Sequence, residues 1–67
     1  KALEYVNEAV KANPQAFWVW LYKAKIEQAI GDKAAAMASS KKSWELASEA
    51  KNSDYMKMNE ELQKKLK

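Results

Sequence analysis

The residues of this 67-residue chain that could do acid–base or Schiff-base chemistry are the adjacent carboxylates Glu60 and Glu61 and a scatter of lysines. Neither set is placed for it. Neighbours on a helix point about 100° apart, so Glu60 and Glu61 do not converge on one reacting atom. A lysine condenses with a carbonyl at neutral pH only from a desolvated pocket, and a chain this short can scarcely enclose one. There is no His to shuttle a proton, no Cys nucleophile, no glycine-rich loop for phosphate and no recognisable base for the serines. Without His or Cys, no transition-metal site is expected either. The sequence therefore reads as a non-enzyme, with no catalytic residue, no metal and no cofactor.

The charge narrows the binding classes. The formal net charge is +3, and all 12 basic residues are lysines. Sequence-specific nucleic-acid readout relies on the planar fork of Arg, so its absence argues against nucleic acid as a specific partner. Non-specific attraction of the lysines to anionic surfaces or nucleic acid stays open as an alternative. The one basic cluster, Lys64, Lys65 and Lys67, reads as a solvated helix end favoured by the helix dipole. No run reaches the roughly 18 apolar residues of a membrane span and no leader is recognisable, so we expect a soluble chain of unspecified compartment. The helical pattern is already under way at Lys1, which suggests a segment cut from something longer, natural or engineered.

Any such residues would have to be positioned by helices. One Gly and one Pro punctuate a sequence rich in Ala, Leu, Glu, Lys and Met, which indicates an all-α chain. Ala2, Leu3, Val6, Ala9 and Val10 make one apolar stripe, and Asn13-Pro14 ends that helix. The expected helices span 2–12, 15–30, 33–50 and 53–66 of a single domain, 1–67. Gly31 adopts the left-handed conformation in this reading, Asp32 caps the third helix, and Asn52 or Ser53 caps the fourth. Tyr55, Met58, Leu62 and Leu66 line the last helix. Joints this short place successive helices antiparallel.

Similar spacing recurs. Ala2-Leu3, Val6 and Ala9-Val10 are echoed by Ala36-Met37, Ser40 and Ser43-Trp44, and Ala2 to Ala36 is an offset of 34 residues. With Trp20, Ala24, Gly31-Asp32 and the closing Pro14, this resembles the tetratricopeptide repeat, whose period is 34 residues. The likeness covers Ala2 to Ala47, about one and a half repeats, followed by what resembles a capping helix. Lys23 and Glu27 depart from it at positions usually apolar. Ser40 stands where a large aromatic is common, and Ser48 replaces a second closing proline. The likeness implies that Trp20, Ala24, Ala36 and Trp44 belong to the core, with Trp44 filling the space beside Ser40 and Ser43.

The second helix carries the functional expectation. Trp18 and Trp20 point about 160–200° apart, so no single neighbour buries both. By the same likeness the first helix of a repeat lines a concave surface, which places Trp18, Leu21, Lys25 and Gln28 on one exposed strip. That strip is either an interface with a second copy or adjacent repeats, or a peptide groove anchored by Trp18 and Leu21 with Lys25 meeting a carboxylate. The Asn and Lys set that clamps a peptide carboxylate in chaperone-type repeats is not matched, because Leu21 and Tyr22 occupy those places. Repeat units bury their faces by stacking, and about three are normally needed. The leading expectation is a protein–protein interaction or structural repeat module that forms a homodimer, docked side by side or by a domain swap across the short joints.

Overall fold

A computed structural model describes residues 2–66, leaving Lys1, the Ala2 side chain and Lys67 outside the described positions. The Ala2 end of the first stripe and the Lys67 end of the basic cluster therefore lie outside it. The chain is all-α: α1 (Ala2–Ala12), α2 (Phe17–Ala29), α3 (Lys33–Glu49) and α4 (Ser53–Leu66). The second helix starts two residues later than its pattern suggests. Pro14 and Gln15 form a turn closed by the Ala16 N–H on the Asn13 carbonyl, and Ala16 is still extended at ψ 95°. Ile30 and Ala50 are the C-caps of α2 and α3 rather than members of them.

Two of the joints share one backbone solution. After α2, the Asp32 N–H reaches the Glu27 carbonyl and the Gly31 N–H reaches Gln28. After α3, Asn52 reaches Ala47 and Lys51 reaches Ser48 in the same pattern. Both are Schellman closures, which need one residue in the left-handed region. Gly31 takes it at φ 91° and Lys51 at φ 59°. Each joint then caps the next helix with its following residue. Asp32 Oδ1 accepts from the Ala35 N–H and Asn52 Oδ1 from the Tyr55 N–H, both at 3.2 Å.

Among the described residues, α2 touches the other three helices, whereas α1 rests on α2 alone. This explains why α2 is apolar nearly all round. Four helices arranged this way have principal-axis extents of 31 × 29 × 14 Å. Their centre is an apolar cluster of Leu21, Ala24, Ala36, Leu62 and Leu66, flanked by Met37 and Tyr55. Val6, Ala16 and Ala47 are also buried. Half of these eight buried apolar residues are alanines, so the helices approach closely and the core is thin.

The large aromatics expected inside are not its filling. Trp20 is half-buried: its Nε1 donates to the Pro14 carbonyl at 2.8 Å, and the Lys23 ammonium lies 5.1 Å from its ring centre. Lys23 thereby makes a cation–π contact. Trp44 is also half-buried and turns its Nε1 to Glu60 Oε2 at 3.0 Å. The space beside Ser40 and Ser43 belongs instead to Asn59, which is wholly buried. Asn59 Oδ1 accepts from Ser40 Oγ at 3.0 Å, and its Nδ2 donates to Ser43 Oγ at 2.9 Å and the Tyr55 carbonyl at 2.8 Å. The Ser43 hydroxyl donates in turn to the Phe17 carbonyl at 2.7 Å, tying α4 through α3 to α2.

Candidate interaction surface

Helix geometry decides which residues of α2 face outward. At about 100° per residue, Tyr22, Lys25 and Ala29 return to within roughly 40° of Trp18, whereas Leu21 falls about 60° to one side and Gln28 about 80°. Trp18 is accordingly 50% exposed and Tyr22 54%, with Lys25 and Ala29 also exposed. Leu21 is only 4% exposed and sits in the central cluster. The expected strip of Trp18, Leu21, Lys25 and Gln28 is therefore divided. Trp18 and Lys25 are outside, Gln28 is half-buried, and Leu21 is core, with Tyr22 continuing the strip in its place.

The strip is held by an aromatic chain. The Phe17 ring meets Trp18 edge-on at 5.0 Å between centres and meets Tyr55 of α4 at 4.9 Å. Such edge-to-face pairs restrict the rings they join. Further along, Lys25 and Gln28 line an open groove of about 380 Å³ with Met58, Glu61, Leu62 and Lys65 of α4. Tyr22, Met58, Glu61 and Lys65 escaped the sequence reading. Tyr22 was legible as the i+4 neighbour of Trp18, but the α4 residues required knowing how α4 lies beside α2.

The surface carries both signs of charge, Lys25 and Lys65 against Glu61, around exposed Trp18, Tyr22 and Met58. Among the described residues no group of three or more His, Cys, Asp or Glu could hold a metal. No helix there is long and apolar enough to cross a membrane. What the arrangement offers is apolar contact area with charged edges, the chemistry of association. Neither a protein-family model nor a curated protein nor a solved structure matches this sequence significantly.

Proposed function

We propose that the chain is an association module of tetratricopeptide-like helical hairpins that docks a second copy of itself through the Trp18–Tyr22 strip. The observation that carries the reading is the inversion of side-chain size between core and surface. Among the described residues half of the buried apolar ones are alanines, whereas Trp18, Tyr22, Tyr5, Ile30 and Met58 are exposed. Large apolar side chains outside a thin core are the material of an interface. A two-fold contact sets one patch against itself and therefore needs both signs of charge in that patch. Lys25, Lys65 and Glu61 supply them.

Several features favour the hairpin reading. Ala24 and Ala36, at the small-residue positions of the likeness, have no exposed surface. Glu27 pairs with Ser39 and Phe17 with Ser43, the order produced by antiparallel α2 and α3. Because the Trp18 strip lies on the outside, side-by-side docking needs no helix to open, which favours it over exchange of helices. A peptide in the α2–α4 groove is the second reading, supported by the two lysines lining it.

Light scattering on a sizing column, across a concentration series, tests the proposal. We expect a dimer at micromolar concentration that Trp18→Glu converts to a folded monomer, because a carboxylate buried against an apolar partner is costly. A monomer at every concentration, with Trp18→Glu indistinguishable in mass and melting, rules the self-docking out.

A further inference from the structure

Helices α3 and α4 enclose a second groove, of about 410 Å³, between Lys41, Trp44 and Glu45 of α3 and Glu60 and Gln63 of α4. On α4 its residues point about 100–160° away from Met58, Glu61 and Lys65, and the two grooves share no lining residue. Its walls are fixed by hydrogen bonds. The Trp44 indole is held by Glu60 Oε2 at 3.0 Å, and Gln63 Nε2 donates to the buried Ser40 Oγ at 3.3 Å. Ser40 in turn belongs to the Asn59 network. Among the described residues the ammonium seated over an indole is Lys23 on Trp20, and the Trp44 ring carries no such cation. The groove thus combines a positioned, half-exposed aromatic ring with two carboxylates and one ammonium, a net charge of −1 from +1 − 2.

We propose that this groove docks an arginine side chain presented by a partner protein. A guanidinium is flat and weakly hydrated, so it can stack on the indole while its forked N–H groups reach Glu45 and Glu60. An ammonium lacks the planar face and keeps its water. Within these 67 residues every basic side chain is a lysine, so the arginine comes from outside them. This goes beyond self-docking at the Trp18 strip, with a different surface and a different partner.

The test follows the Trp44 indole N–H resonance of the full chain while adding a blocked Gly-Ser-Arg-Ser-Gly peptide or its lysine twin. Light scattering on the same samples tracks oligomeric state separately. We expect saturable movement with the arginine peptide and binding about threefold or more weaker with the lysine peptide. Glu45→Gln removes an exposed carboxylate that has no side-chain hydrogen bond among the described residues, so it should fold, and it should weaken arginine binding about threefold. Glu8→Gln, the same charge change on α1, should not. No saturable movement, equal response to both peptides, or Glu45→Gln titrating like the parent chain would each overturn the proposal.

Discussion

Along the seam between α3 and α4 the chemistry changes within two helical turns. At one end Ala36 joins Leu62 and Leu66 in the apolar cluster that also holds Leu21 and Ala24 of α2. At the other, Ser40 and Ser43 engage Asn59 and Gln63 through hydrogen bonds of 2.9 to 3.3 Å. The apolar end gains free energy in proportion to area and tolerates sliding. The polar end gains less but accepts one alignment, because a displaced Asn59 would leave buried donors and acceptors unpaired. Among the described residues no buried side-chain N or O lacks a partner, so the network is complete. We read the first region as adhesion and the second as register.

Substitutions in the two regions should therefore fail differently. Leu62→Ala should cost about 2–5 kcal/mol from lost burial and the remaining cavity. That is comparable to the entire ~3–5 kcal/mol a core of this size normally supplies. The variant should be largely unfolded by circular dichroism at room temperature, and an unchanged melt would show that adhesion lies elsewhere. Asn59→Leu should cost less, about 1–3 kcal/mol, since Ser43 keeps the Phe17 carbonyl and Ser40 keeps the residue-59 carbonyl. Its signature is loss of uniqueness, visible as extra or broadened amide resonances for α4. A single sharp set would mean that Leu62 and Leu66 alone fix the alignment.

The contrast also marks how far the sequence could be read. The number of helices, the joints, the Asp32 cap and the small residues at positions 24 and 36 follow from local rules, because Gly31, Pro14 and alanine spacing act through the backbone. Trp20 and Trp44 were expected in the core from the repeat likeness and, for Trp44, from the room beside Ser40 and Ser43, yet both are half-buried. Each indole N–H instead seeks an acceptor near the surface, on Pro14 and Glu60. Nothing local in the sequence marks Asn59. Only the approach of α4 to Ser40 and Ser43 makes it central, and no periodicity within α4 encodes that approach. Leu21 and Tyr22 were a finer failure, in which a difference of about 100° around one helix separates core from surface.

A similar but smaller polar contact on the α2 side sharpens the comparison. Glu27 is nearly buried, and its Oε1 accepts from Ser39 Oγ at 2.6 Å across the α2–α3 contact. This is a single bond rather than a network. Ser39→Ala should cost about 1–2 kcal/mol by leaving the carboxylate without that donor, and Glu27→Gln should restore much of the loss by dispensing with the charge. Chemical denaturation of the two single variants and the double variant measures the coupling. Additive effects would mean that water already serves the carboxylate and that the contact contributes nothing to pairing.

The smallest expected effects compare the two joints themselves. Both close their helix by the same pair of backbone bonds, yet one places glycine and the other lysine at positive φ. A left-handed residue with a Cβ is disfavoured by roughly 1 kcal/mol, a cost glycine avoids. Around Gly31 a Cβ would meet nothing within 4 Å, so Gly31→Ala isolates the backbone cost from any clash. We expect it to destabilise by about 1 kcal/mol, and Lys51→Gly to stabilise by about 0.5–1 kcal/mol less the entropy glycine loses on folding. For a chain of this size, 1 kcal/mol corresponds to about 4–8 °C in the melting temperature, so the two shifts should be measurable and opposite in sign. If Lys51→Gly instead lowers the melting temperature, the lysine side chain contributes at that joint, for example through the dipole at the end of α3, and the two joints are alike in backbone only.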